Sequence, residues 1–180
     1  MKKMILPVLV LMFGMSLAAD QSPYVGEELR SIKSLSSQEI ESLRSGGGMG
    51  FAKLAELNHY PGPKHVLELA DDLDLTPSQV VGTQALFEEM RLKAVVLGEE
   101  LLAAEMALDQ DFSRGVISPE SLESALLSIG KIRAQLRYVH LEAHLRQQRL
   151  LTREQIAIYD ETRGYRGTAH KHTEHRKSHN

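Results

Sequence analysis

The chain has 180 residues, no cysteine and a formal net charge of −3 at pH 7. Without cysteine it can form neither disulfides nor thiolate metal sites, so packing alone must hold its core. The length suggests one domain, and the acidic balance of the part expected to fold argues against nucleic acid as a partner.

The first 19 residues are typical of a secretory signal peptide. Two lysines give them a positive start, residues 4–17 are mostly apolar, and two alanines stand where a cleavage site is expected. The apolar run is short for a membrane span. We therefore expect residues 1–19 to be removed and residues 20–34 to form an N-terminal linker. The mature protein is expected in the bacterial periplasm, with no stable membrane span left after cleavage.

Four segments share a pattern that predicts the start of an α-helix. In each, an apolar residue precedes a Ser or Thr, and another apolar residue follows after three further positions. The hydroxyl accepts a hydrogen bond from a free N–H of the first turn, and the two apolar side chains pack across that turn. Three copies add a Glu or Gln that completes a capping box. The starts are Leu35-Ser36, Leu75-Thr76, Ile117-Ser118 and Leu151-Thr152, and the box residues are Glu39, Gln79 and Gln155.

Two of these starts open long helices whose apolar residues follow a heptad spacing. The first is expected to run from Pro77 to about Asp111 and the second to begin at Pro119, with a short loop at Gly115 between them. Such a pair forms an antiparallel hairpin. The domain expected to fold, residues 35–162, is therefore all-α, a long antiparallel helical hairpin with short flanking helices. The flanking helices are predicted at about 37–45, 49–57, 63–73 and 153–162.

The second long helix carries another apolar line, nearly opposite the first. A helix that is apolar on two sides needs cover on both. The short helices supply part of this cover, and we expect a second subunit to supply the rest in a homodimer. The line consists of Leu127, Ala134, Tyr138, Leu141 and Leu145.

Residues 163–180 differ from the rest in composition. They contain four histidines, five Lys or Arg, one acid and no large aliphatic residue. Such a segment buries too little apolar surface to offset the entropy lost on ordering, so we predict a disordered tail. Its imidazoles suit weak binding of Zn²⁺, Cu²⁺ or Ni²⁺, and a solvated end without a role is the alternative.

Two histidines, His140 and His144, are four residues apart on the second long helix and share a face. A zinc protease is excluded, because its motif requires a Glu directly after the first His, and Leu141 stands there. The pair can bind Zn²⁺, Ni²⁺ or Cu²⁺ if other elements supply more ligands, for which His59 and His65 are the candidates. The alternative is a half-exposed pair that covers the hairpin seam and bonds to water or a carboxylate.

Two copies of an LTxxQ motif, Leu75 to Gln79 and Leu151 to Gln155, frame the hairpin. With the signal peptide and the helical hairpin, they resemble the Spy/CpxP family of periplasmic proteins, which includes envelope-stress chaperones, zinc-binding ZraP-like proteins and CnrX-like heavy-metal sensors. The resemblance covers roughly residues 75–160. It implies a hooked four-helix fold, usually a cradle-shaped dimer, without enzymatic activity. The motif residues are Leu75, Thr76, Gln79, Leu151, Thr152 and Gln155.

The sensors in that family imply His-x-x-x-His early in the chain and His-x-x-x-Met on the later long helix. Here the later pair is His140 and His144, and the early positions hold His59 and His65, six apart. We therefore expect a non-enzymatic protein of heavy-metal binding, sensing or resistance, with an inner-membrane regulator as a partner. The alternative is an ATP-independent chaperone that holds unfolded clients under envelope stress.

Overall fold

The computed structural model describes residues 21–165, and within this range the fold is all-helical, with no strand. The predicted all-α hairpin with short flanking helices is confirmed. The predicted signal peptide and residues 166–180 of the predicted tail lie outside the described range. A short 3₁₀ helix at Glu27–Leu29 comes first. The helices are α1 (Ser37–Ser45), α2 (Lys53–Glu56), α3 (Pro63–Glu68), α4 (Pro77–Arg114), α5 (Pro119–Leu150) and α6 (Arg153–Thr162).

None of the helices between residues 21 and 165 combines the length and the apolar character that crossing a bilayer requires.

The hairpin of α4 and α5 forms the body of the molecule, with arms of about 57 Å and 48 Å at 1.5 Å per residue. Its α4 arm runs three residues beyond the predicted end, to a stop at Gly115. Gly115 adopts a left-handed φ of 66° and its N–H reaches the carbonyl of Phe112, which closes the last turn. The core along the seam includes Leu86, Met90, Ala94, Leu101, Ile129, Leu136, Val139 and Ala143.

All four predicted helix starts carry the expected cap. The side chains of Ser36, Thr76, Ser118 and Thr152 each accept from the third helical N–H. A fourth capping box, not predicted, appears at Ser118, because the hydroxyl of Ser121 accepts from the Ser118 N–H at 2.9 Å. The hydroxyl fills the role that Glu or Gln has in the other three.

The helices α2 and α3 are shorter than predicted. Met49 and Gly50 adopt left-handed φ angles of 42° and 77°, so the chain is still turning where the sequence predicts a helix. The helix α3 ends at Glu68, because Leu69 leaves the helical range with φ of −107° and ψ of 20°. The left-handed turn at Met49 and Gly50 delays the start of α2, and α3 stops before the predicted end at residue 73.

Both segments that flank the predicted helical domain contribute a side chain that packs onto it. Ile32 belongs to the segment predicted as a linker, yet its side chain is 2% exposed and joins the core. Residues 163–165, which composition assigned to the tail, include Tyr165, whose hydroxyl donates to Glu56 at 3.1 Å.

The last residues of the two LTxxQ motifs, Gln79 and Gln155, are hydrogen-bonded to each other. Each side-chain amide donates to the carbonyl oxygen of the other, at 2.8 Å and 3.1 Å. Each carbonyl oxygen also accepts the backbone N–H of its own cap, from Thr76 at 3.0 Å and Thr152 at 2.9 Å. The amides donate further to the backbone carbonyls of Leu150 and Leu73, at 2.8 Å and 3.1 Å. One side-chain pair therefore joins the start of α4, the end of α5 and the start of α6.

Replacing either glutamine with the near-isosteric methionine removes these hydrogen bonds. We expect Gln155→Met to lower the free energy of unfolding by about 2–4 kcal/mol, because buried partners lose their bonds. Because both amides belong to one network, the double variant Gln79→Met/Gln155→Met should lose clearly less than the sum of the single losses. Urea unfolding measures all three. Gln84→Met, at an exposed position of α4, is the matched control and should change little. Additive losses would contradict the pairing.

The helix α1 approaches α4 so closely at Gly98 that a side chain has no room there. A Cβ at Gly98 would lie 2.3 Å from the backbone carbonyl oxygen of Leu43. We expect Gly98→Ala to lower the free energy of unfolding by about 2–3 kcal/mol, since backbone must move. Gly130→Ala is the control on α5, where a Cβ meets nothing within 4 Å. It should raise stability by about 0.5–1 kcal/mol through helix propensity. Equal effects in urea unfolding would rule out the close contact.

Candidate metal-binding cleft

A cleft of about 680 Å³ lies between the α1–α3 region and the half of the hairpin that contains the start of α4 and the end of α5. Its size is in the range of small-ligand sites. The wall opposite the hairpin comes from the glycine-rich turn at 45–50, from α2 and from the start of α3. The hairpin wall includes Phe87, Met90, Arg91, His140 and His144, and the chain after α6 adds Arg163 and Tyr165.

Three of the four histidines predicted from the sequence line this cleft: His65, His140 and His144. The fourth, His59, does not. Its Nδ1 lies 2.8 Å from Oδ2 of the buried Asp160, and its side chain is half exposed. The structure therefore places His65 on the same cleft as the helical pair and His59 outside it.

These histidines are not assembled into a closed site. Within residues 21–165, no group of three or more His, Cys, Asp or Glu side chains is arranged so that it could hold a metal ion. A zinc ion in proteins usually has at least three protein ligands. The described part of the chain thus supplies a pair of imidazoles that needs further ligands.

The ring of His144 is oriented by the backbone. Its Nδ1 lies 2.8 Å from the carbonyl oxygen of Tyr60. A carbonyl oxygen can only accept, so Nδ1 carries a proton, and in the neutral form of the ring Nε2 carries the lone pair. Histidines that bind metals are commonly held in this way, with the other ring N–H donating to a carbonyl. A Cβ at Gly62 would lie 3.0 Å from this Nε2, so glycine leaves room for the ring.

The ring of His140 is buried deeper, at 3% exposure, against the ring of Phe51 with centroids 5.7 Å apart. Burial, assisted by the neighbouring His144, lowers the pKa of His140 to about 4, so the imidazole is neutral at pH 7. Its Nε2 is buried and has no hydrogen-bond partner among the described residues. Both histidines of the pair are buried, not half exposed as the alternative from the sequence had it.

The side chain of His65 is less buried than that of His140, at 31% exposure. Its Nδ1 is buried without a hydrogen bond in the described part, and Oε2 of Glu68 is 4.0 Å away. Burial, with a smaller effect of the Arg163 cation, lowers the pKa of His65. A neutral imidazole is the form that binds metal ions.

Among residues 21–165, Glu56 is the one acid that lines the cleft, and no pattern in the sequence had indicated it. Its Oε1 accepts from the hydroxyls of Tyr159 at 2.5 Å and Tyr165 at 3.1 Å, and lies 3.5 Å from Nε of Arg163. Its Oε2 lies 3.8 Å from Nδ1 of His144. Burial and the bond to Glu56 raise the pKa of Tyr159, which keeps this hydroxyl a donor. These groups tie α2 and α6 to the wall that carries His144.

The LTxxQ residues do not line the cleft. Leu75 and Leu151 pack with the buried ring of Tyr159 in a second, smaller core. The motif residues therefore affect the cleft indirectly. They fix the position of α6, which carries Tyr159, and the Tyr159 hydroxyl donates a hydrogen bond to Glu56.

Comparison of the chain with protein-family models, with curated proteins and with solved structures finds no match. Any assignment of function therefore rests on the residues described above.

Proposed function

We propose that this chain is a periplasmic, non-enzymatic metal-binding protein of the Spy/CpxP type, in which His140 and His144 hold the ion. The observation that carries the proposal is the buried pair of imidazoles on the cleft wall, one of them oriented by the Tyr60 carbonyl. Zn²⁺, Ni²⁺ and Cu²⁺ are the ions that imidazole ligands suit. The role is heavy-metal sensing or resistance, with an inner-membrane regulator as partner.

Two features of the pair favour a ligand over ordinary packing. The neutral state of His140 means that no proton must be displaced from it at pH 7 before a metal binds. Its buried Nε2 has no bond among the described residues, and such a group costs free energy until a ligand satisfies it. His65 lines the same cleft and is a further candidate ligand.

Calorimetry with Zn²⁺, Ni²⁺ and Cu²⁺ on the mature full-length chain tests this proposal. We expect His140→Ala/His144→Ala to weaken binding at least about 100-fold, since even outer residues of metal sites contribute 10–100-fold. Gly62→Ala keeps every ligand but crowds Nε2 of His144, and should also weaken binding. The matched control is His59→Ala, outside the cleft. Circular dichroism checks that each variant folds. Unchanged affinity in the double variant would overturn the proposal.

A chaperone is the second candidate, favoured by an uncovered apolar surface on the hairpin. Leu92 and Val96 of α4 are each 59% exposed, and Tyr138 of α5 is 61% exposed. They line a shallow groove of about 480 Å³. Adjoining apolar side chains on a surface mark interaction sites, here for unfolded clients or for the second copy of a homodimer. The second apolar line of α5 is likewise uncovered, with Leu127 at 69% and Leu145 at 48%.

We expect Leu92→Ser/Tyr138→Ser to reduce suppression of client aggregation, whereas Leu126→Ser, at an exposed position elsewhere on α5, should not. Light scattering at micromolar concentration, run in parallel, identifies the occupant. A dimeric wild type and a monomeric double variant indicate a second copy on this surface. A monomeric wild type contradicts the homodimer. Equal suppression by all variants contradicts this groove as the client surface, and no suppression by the wild type contradicts the chaperone.

A further inference from the structure

We infer that the cleft binds the metal ion as a complex with a small polycarboxylate, and that basic side chains of the lining recognise the carboxylates. Oxygen atoms of that small molecule supply the metal ligands that His140 and His144 lack. This inference rests on the proposed function. It goes further by naming the class of small molecule that completes the same site.

The first reason is the shortage of ligands in the cleft. His140 and His144 offer two imidazoles, and within residues 21–165 no group of three or more His, Cys, Asp or Glu could hold a metal ion. Zn²⁺ in proteins is almost always bound by four donor atoms, one of which can come from a small molecule. Glu56 is already engaged, because its Oε1 accepts from the hydroxyls of Tyr159 and Tyr165. Donors from solution are therefore needed.

The second reason is the charge of the lining, which suits an anion better than a free metal ion. Within residues 21–165, four cationic side chains line the cleft against one acid, Glu56. The sign is opposite to that of the whole chain, which has a net charge of −3. Such a lining repels a bare divalent cation and attracts a complex whose carboxylates outweigh the charge of the metal. The cations are Lys53, Lys64, Arg91 and Arg163.

Two of these cations, Lys53 and Arg91, are available to a carboxylate. Lys53 is exposed and forms no ion pair within residues 21–165. Arg91 lies 2.9 Å from Glu88, on the same helix, but both side chains are largely solvent-accessible, and such surface pairs contribute little free energy. A guanidinium can instead donate two parallel hydrogen bonds to a carboxylate of the ligand. These two side chains lie on opposite walls, one on α2 and one on α4.

The third reason is the space in the cleft and the polar atoms that border it. A volume of about 680 Å³ is in the range of small-molecule sites and far larger than a single ion requires. His140, with 3% exposure, has a buried Nε2 without a hydrogen bond in the described part, and Nδ1 of His65 is in the same state. Phe87 and Met90 add apolar surface for the carbon skeleton of a ligand.

The test uses Ni²⁺ and citrate as probes on the mature full-length chain. Equilibrium dialysis, with nickel and citrate both quantified, gives the affinity for Ni²⁺ with and without excess citrate. We expect citrate to raise the apparent affinity for Ni²⁺ at least about 10-fold and to be retained in equal amount with the metal. A site for the bare ion gives the opposite result, because citrate then competes for the metal. His140→Ala/His144→Ala measures the Ni²⁺ bound elsewhere on the chain.

A second comparison tests recognition by charge. We expect Lys53→Gln/Arg91→Gln to weaken binding of the nickel–citrate complex about 10-fold or more, because two charge-assisted contacts are lost. Binding of Ni²⁺ alone should not weaken, since neither side chain is a metal ligand. Lys131→Gln, at an exposed position of α5 outside the cleft, is the matched control. Circular dichroism checks that each variant folds.

The other outcomes separate this inference from the proposed function. If citrate lowers the affinity for Ni²⁺ while His140→Ala/His144→Ala still loses Ni²⁺, the proposed function stands and this inference is overturned. Equal affinity of the wild type and Lys53→Gln/Arg91→Gln for nickel–citrate also overturns it. Citrate that is retained equally without Ni²⁺ indicates a plain anion site and contradicts the complex. If His140→Ala/His144→Ala loses neither Ni²⁺ nor nickel–citrate, the proposed function fails, and this inference fails with it.

Discussion

The reciprocal hydrogen bonds between Gln79 and Gln155 determine how the ends of this helical hairpin are arranged. The contacts along the hairpin seam do not by themselves fix the position of the chain that follows α5. The two amides bond to each other and to backbone at the starts of α4 and α6 and at the end of α5. In a low-dielectric interior, a polar pair with its partners satisfied favours one arrangement over all others.

The cleft depends on that arrangement. With α6 fixed, Tyr159 lies one turn beyond Gln155 and its hydroxyl reaches Glu56 on α2. A helix of four residues is not stable by itself, so α2 persists through tertiary contacts of this kind. The segment after α2 then carries the Tyr60 carbonyl to Nδ1 of His144. The capping boxes at Thr76 and Thr152 are therefore linked to the orientation of the His144 ring, through α6, Tyr159 and Glu56.

The parts of this fold that the sequence predicts are those encoded locally. The capped starts at Ser36, Thr76, Ser118 and Thr152 and the heptad spacing act within a few residues, so the hairpin follows directly. The helix α2 was predicted to start too early, because the left-handed turn at Met49 has no reliable local signal. Contacts between residues far apart in the chain, such as that of Glu56 with Tyr159 at a separation of 103 residues, produce no sequence pattern that would predict them.

The position of His140 and His144 depends on local spacing in the sequence, and their burial depends on contacts with residues far away in the chain. The four-residue spacing predicts the shared face of His140 and His144, but their depth depends on whether another element covers that face. The turn carrying Phe51 does so, and the resulting burial accounts for the low pKa of His140.

A phenylalanine or leucine would fill the position of His140 without a polar atom to satisfy. The imidazole instead leaves its Nε2 without a bond among the described residues, which costs about 1–3 kcal/mol for a buried polar group. An ion or ligand that bonds to this nitrogen only in the folded chain would recover that free energy and stabilise the fold in proportion to its occupancy. The same argument applies to Nδ1 of His65 on the same cleft. Two buried imidazole nitrogens on one cleft, without a hydrogen bond among residues 21–165, are poor packing for an inert core, and this is the physical argument behind the proposed binding site.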